Sequence, residues 1–188
     1  VSISDPNVVY VGMGEHPPRG VMSSYGDGIY KSTDAGKTWK HLGLELTRQT
    51  ANIRIHPTNP DIVYVSVLGH AFGPNEERGV FKTTDGGKTW KEIVNGLPMD
   101  PINVVKEDPK RKGLLFAGSE NAVYFSLDAG EHWQSLRLNM PATSIRDLVL
   151  HEDDLVLGTH GRSFWILDNI SPLRQINLDA NKETVLLK

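Results

Sequence analysis

The sequence predicts an all-β chain folded as a β-propeller of four-stranded antiparallel blades, about four of them in 188 residues. Three observations carry that expectation. An Asp-x-Gly-x-x-Trp phrase recurs, as KSTDAGKTWK at 31–40, KTTDGGKTWK at 82–91 and a worn FSLDAGEHWQ at 125–134. Short apolar runs precede each phrase at matching places, which makes the phrase part of a repeat of about 40–50 residues, the period of a propeller blade. No stretch holds a 3.6-residue periodicity for three turns, whereas alternating and β-branched runs are frequent.

The copies span about 1–46, 47–98, 99–140 and 141–188 as a single propeller or propeller fragment. The second serves as the type. Its strand A is ANIRIH (51–56), with Ile53 and Ile55 on one face and Asn52, Arg54 and His56 on the other. Strand B, IVYVSVL (62–68), is continuously apolar, as suits a strand covered on both sides. Strand C is GVFKTT (79–84) and strand D is KTWKEIV (88–94), joined by the tight DGG turn. The fourth copy keeps the two apolar runs and an Asp at 168 but has lost the Gly and Trp, and SPLRQI (171–176) has the makings of one helical turn. Only VSIS precedes the first Asp-Pro pair, and ETVLLK (183–188) is a spare strand at the other end. Two closures follow: a four-blade ring sealed by 183–188, or an arc of a larger propeller.

Composition narrows the function. Twenty basic and 23 acidic residues give a net charge of −3 without a basic stripe, so nucleic acid is not an expected partner. The apolar runs are too short for membrane insertion. Cysteine is absent, which removes disulfides, thiolate metal sites and cysteine nucleophiles.

In the repeated phrase, Asp34, Asp85 and Asp128 stand at the first corner of the C–D turn, where a carboxylate accepts backbone N–H groups two and three residues on. Gly36, Gly87 and Gly130 hold the place that needs positive φ. Trp39, Trp90 and Trp133 are long enough to fill the gap between blades. Repetition itself speaks for a structural role, since an active site needs one constellation whereas every blade needs a closed turn.

These phrases closely resemble the Asp-box, or BNR repeat, S/T-x-D-x-G-x-x-W, of sialidases, xyloglucan-degrading glycosidases and sortilin-type propellers. GDGIYKSTDAGKTWKHLGL, IHPTNPDIVYV, ERGVFKTTDGGKTW and THGRSFWILDNISPLRQ also resemble stretches of large bacterial exported BNR-repeat proteins of glycosyl-hydrolase-like or sortilin-like type. The resemblance implies a propeller, an extracellular or periplasmic location, and more blades than are found here, so that other blades of a larger propeller are expected partners. Neither the arginine triad and Tyr–Glu pair of a sialidase nor the aspartate pair of a xyloglucanase is found in a recognisable motif.

If the boxes are C–D turns, a pocket near the axis has to come from the opposite rim, built by the B–C loops 14–28, 69–79, 118–122 and 159–163. These contribute Glu15, His16, Arg19, Tyr25, Asp27, His70, Glu77, Arg78, Glu120, His160 and Arg162. Glu15, Glu120 and His160 follow strand B at nearly equivalent places and are expected to ring the axis. The reading that follows is a non-catalytic module binding protein, peptide or glycan on this rim, with arginines tying loops to neighbouring blades. The alternative is a glycoside hydrolase with Glu15 and Glu120 as its acid/base pair. His16, His70 and His160 lie in separate loops with no H-E-x-x-H or His-x-His spacing, so neither metal nor cofactor is expected.

Overall fold

The computed structural model describes residues 1–16, 23–70 and 75–176. Four antiparallel sheets follow one another along the chain. Blade 1 holds β1 (Val9–Gly12), β2 (Ile29–Ser32) and β3 (Lys40–His41). Blade 2 holds β4 (Thr50–Ile55), β5 (Val63–Val67), β6 (Gly79–Thr83) and β7 (Lys91–Glu92). Blade 3 holds β8 (Ile102–Glu107), β9 (Leu115–Ser119), β10 (Val123–Ser126) and β11 (Gln134–Ser135). Blade 4 holds β12 (Ile145–His151), β13 (Asp154–Thr159) and β14 (Phe164–Leu167), followed by a short helix, α1 (Ser171–Gln175).

Blades 2 and 3 thus have four strands. Blades 1 and 4 have three among the described residues, blade 1 lacking strand A and blade 4 lacking strand D. The proposed sealing strand, 183–188, lies outside the described residues.

Period-two alternation gives each sheet two apolar faces, and each forward face packs on the rear face of the next blade. Val8, Tyr10 and Ile29 of blade 1 meet Val63, Val65 and Val67 of blade 2. Tyr64 and Val80 of blade 2 meet Ile102, Val105, Leu115 and Ala117 of blade 3. Phe116, Val123 and Phe125 of blade 3 meet Ile145, Leu148, Leu155 and Leu157 of blade 4.

The three boxes share one hydrogen-bond plan, which differs from the one expected. The amide two residues after the Asp goes to a serine or threonine hydroxyl: Gly36, Gly87 and Gly130 donate to Ser32, Thr83 and Ser126 at 2.8–2.9 Å. Each hydroxyl in turn donates to its Asp at 2.7 Å. The Asp reaches one residue further than the simple turn pattern, accepting the amides of Thr38, Thr89 and His132 four residues on. It also accepts the hydroxyls of Thr38 and Thr89 at 2.6 Å, and in the third box it meets the His132 ring. These donors hold the Asp34 carboxyl down at about 2, and Asp85 lower still.

The turn needs positive φ at two successive residues, Ala35–Gly36, Gly86–Gly87 and Ala129–Gly130. Glycine at the second serves a further purpose where a blade stands behind. A Cβ on Gly87 would sit 2.3 Å from Leu42 Cδ1, and one on Gly130 would sit 2.4 Å from Ile93 Cδ1. The tryptophans continue that contact. Trp90 donates its indole N–H to the Leu42 carbonyl and Trp133 to that of Ile93, each on the preceding blade, at 2.8 Å. Trp39 instead donates to Gly36 in its own turn and is 43% exposed.

Strand C returns a tie in the other direction. Lys31 reaches the Gly86 carbonyl in the second box and Lys82 reaches that of Ala129 in the third. Both ammonium groups lie over a tyrosine ring of their own blade, Tyr10 and Tyr64.

Blade 4 has no box. By register Leu167 occupies the Ser126 position, so Asn169 rather than Asp168 stands where the box Asp would be. Asp168 was the wrong match because sequence spacing alone cannot detect a one-residue offset in β14. Helix α1 takes over the closure. Its Arg174 forks onto the fully buried carboxylate of Asp108 at 2.7 and 3.0 Å and also pairs with Asp153. Arg111 donates to the Leu173 carbonyl.

Candidate functional site

Every described inner strand kinks at one place. The register slips between Thr50 and Asn52 in β4, between Ile102 and Val104 in β8, and between Ile145 and Asp147 in β12. Such a bulge inserts a residue and re-aims its side chain. The inserted residues are Ala51, Asn103 and Arg146, all at the B–C end of the blades.

Two of them build a polar cluster. Asn103, only 2% exposed, donates through Nδ2 to Glu120 Oε1 at 3.0 Å and to the Ile145 carbonyl at 3.1 Å. Its Oδ1 meets His16 Nε2 at 3.4 Å, a contact that requires the proton on Nε2. Arg146 Nη1 pairs with Glu120 Oε1 at 3.1 Å, with both side chains about one-third exposed. The four groups come from blades 1, 3 and 4. His16 meets blade 3 directly, and blade 2 has only the methyl group of Ala51 at the matching place. Burial, reinforced by the charge of Arg146, pushes the His16 imidazole below its ordinary value against the opposing pull of Asn103 and Glu120.

The other rim residues divide into those that brace and those that face outward. Glu15 exchanges hydrogen bonds with Ser24, its amide donating to the Ser24 carbonyl and its carboxylate accepting the Ser24 amide, so it fastens its own loop. Arg78 clamps three carbonyls, those of Leu68, His70 and Met99. Asp27 accepts the Tyr30 hydroxyl at 2.7 Å. Glu77 is half-buried, while His160 and Arg162 are exposed. The His160 amide bonds to Ser144, and the Arg162 carbonyl accepts the Trp165 indole. Tyr25, 52% exposed, lies against the His70 ring and under the Arg48 guanidinium, 5.0 Å from its centroid. Arg19 lies outside the described residues.

The expected trio of Glu15, Glu120 and His160 therefore gives way to His16, Asn103, Glu120 and Arg146 as the groups in mutual contact. Asn103 and Arg146 were missed because they sit in strand A, whereas site residues were sought only in the B–C loops. The signal was available in the aligned repeats, where a polar residue enters an apolar run at the Ala51 position in two of three copies. Among the described residues no three His, Cys, Asp or Glu side chains gather in a metal-binding group.

Comparison with known proteins supports this architecture. Residues 30–41 and 81–92 match the BNR/Asp-box repeat family. A probable oligoxyloglucan-reducing end-specific xyloglucanase of Neosartorya fischeri is 24% identical over 148 residues, 71% of this chain and 16% of that protein. Among solved structures, an ancestral GH74 enzyme matches with a TM-score of 0.68 at 18% identity, over 90% of this chain and 22% of its own. A GH74 enzyme of Niastella koreensis gives 0.63 at 21% identity, over 85% of this chain and 25% of its own. YCF48 bound to D1 peptide gives 0.57 at 18% identity, over 89% of this chain and 49% of its own. The chain thus spans between a sixth and a half of these relatives, and the structural likenesses show the fold.

Proposed function

For a chain of BNR/Asp-box repeats folded as propeller blades, we propose a non-catalytic module of an exported protein that binds protein, peptide or glycan on its B–C rim. The observation that supports it is the contact of Asn103, Glu120, Arg146 and His16 from three blades, with Asn103 and Arg146 set by bulges, together with an exposed Tyr25 ring held by Arg48 and His70. On the opposite rim the box carboxylates are consumed by their own turns. The likeness to both GH74 enzymes and peptide-bound YCF48 admits either ligand class for this rim.

Glycan arrays and peptide libraries probed with the 188-residue chain test this reading. A hit should weaken at least about tenfold with Arg146→Ala or Tyr25→Ala, a loss of about 1.4 kcal/mol, and should survive Thr38→Val on the box face. A ligand indifferent to both rim substitutions would overturn it.

The second reading, a glycoside hydrolase or part of one, rests on the xyloglucanase relative. Its two candidate carboxylates are each engaged: Glu120 accepts from Asn103 and Arg146, and Glu15 from Ser24. Release of reducing sugar from xyloglucan oligosaccharides that Glu120→Gln abolishes would establish it.

A further inference from the structure

The turns from β4 to β5 and from β8 to β9 lie beside the boxes, at the opposite end of the strands from the B–C rim. There blades 2 and 3, each packed on both sides, enclose a cleft of about 280 Å3. Arg54, His56, Pro57 and Tyr64 wall it from blade 2, and Lys106 and Glu107 from blade 3. Two atoms of charged groups in these walls are out of solvent and without a partner among the described residues, Arg54 Nε and Glu107 Oε2. The other Glu107 oxygen accepts the Gly113 amide at 2.9 Å. His56 accepts the Thr58 amide at Nδ1, which leaves its own N–H on Nε2.

The other blades show that the frame does not call for these charges. By register Glu107 stands where blade 2 has Ile55 and blade 4 has Leu150, each packed on the apolar cluster of its own seam. Arg54 corresponds to Lys106, which pairs with Asp147 at 3.5 Å. The place of Asp147 is taken in blade 3 by buried Val104, so Lys106 has an acid across its seam and Arg54 has none. Burial lowers the Lys106 ammonium and the nearby charge of Arg54 adds to the effect, against the pull of Asp147. Glu107 is attracted by Lys82, which lies over the Tyr64 ring. The charge left unmatched in the cleft is that of Arg54.

We propose that this cleft binds a small hydroxycarboxylate, a hydroxy acid or sugar acid, with its carboxylate on Arg54 and a hydroxyl donating to Glu107 Oε2. One unmatched positive charge calls for a monoanion, and a guanidinium receives a carboxylate through paired N–H groups. The bare Glu107 oxygen calls for a donor on the same molecule, since a buried acceptor left unpaired is costly. A phosphate dianion would set a second negative charge against Glu107, whereas a hydroxycarboxylate turns an O–H toward it. The His56 N–H is a further donor for the remaining oxygens. The cleft is far larger than the roughly 10–15 Å3 that one water takes up, so it admits a molecule of this class.

Isothermal titration of the 188-residue chain with D-glucuronate tests the proposal. Glucuronate should bind saturably, and D-glucose, acetate and inorganic phosphate should each bind at least about tenfold more weakly. Arg54→Met and Glu107→Gln should each weaken glucuronate at least about tenfold. Arg54→Lys, which keeps the charge and loses the paired donors, should fall between Arg54→Met and the parent. Glu107→Gln retains an oxygen for the Gly113 amide, and urea unfolding confirms that each variant folds. A chain that takes up no glucuronate at millimolar concentration would overturn the proposal. So would equal binding of acetate, glucose or phosphate, or an affinity indifferent to Arg54 and Glu107. An affinity lost with Arg146→Ala and kept with Arg54→Met would place the ligand on the B–C rim and overturn it as well.

Discussion

The seam between blades 2 and 3 and the seam between blades 3 and 4 fill equivalent gaps with different chemistry. At the first, the Trp133 indole reaches back to Ile93 while Lys82, lying over Tyr64, reaches forward to Ala129 in the third box. At the second there is no box, hence no turn carbonyl to receive a lysine. The Tyr64–Lys82 positions become Phe116 and Phe125, and the charged tie moves to the A–B turns as Arg174 on Asp108. The box is therefore one half of a two-way contact. Where it is lost, its lysine partner is lost with it, and a helix from the same blade supplies the latch.

That comparison can be broken or sharpened by substitution. Trp133→Ala removes a buried indole and should destabilise by about 3–5 kcal/mol. Trp39→Ala, the same residue in a box with no blade packed behind it among the described residues, should change stability by less than about 1 kcal/mol. Urea unfolding that gives the two equal effects would detach the tryptophan from the seam.

Arg174→Ala should cost about 2–3 kcal/mol, below the value for breaking a wholly buried pair, because the Lys110 and Arg111 amides still hold Asp108. The double variant Arg174→Met with Asp108→Leu should recover part of that loss, and thermal melts of the single and double variants measure it.

Lys82→Met keeps the stem but loses the ring contact and the carbonyl tie, worth about 1 kcal/mol together. Phe125→Lys at the matching place of blade 3 should be the more damaging change, since no box carbonyl awaits it. The same melts compare the two.

The smallest effect concerns pH. Asp34 has its carboxyl lowered to about 2 from 3.8, so the folded chain holds the anion more firmly than the unfolded one. Its contribution is complete above the ordinary value and fades as pH falls through about 2. Unfolding midpoints between pH 5 and 2 should fall less steeply in Asp34→Asn than in the parent.

How much of this could be read beforehand depends on range. The blades follow from local alternation and from a turn whose Ser/Thr, Asp and Gly lie within five residues. So does the short helix after blade 4. Arg174 and Asp108, 66 residues apart, carry no mutual signal, and only packing brings them together. The sequence reading looks for the polar site in the rim loops alone, whereas Asn103 and Arg146 lie one strand inward and reach Glu120 of those loops. Their selection depends on a bulge, and a bulge does not disturb hydrophobic periodicity enough to be seen in one copy.

The bulges carry a consequence for how such a rim changes over time. Ala51, Asn103 and Arg146 sit at one address in three successive blades, at the end of the strands opposite the boxes. A substitution there changes the polar contacts that cross between blades on the B–C rim, as Asn103 with Ile145 and Arg146 with Glu120 show, and leaves the hydrogen bonds of the boxes untouched. On the rim proposed above as the binding face, these positions form a short alphabet, one letter per blade, that changes by single codons while the boxes stay fixed.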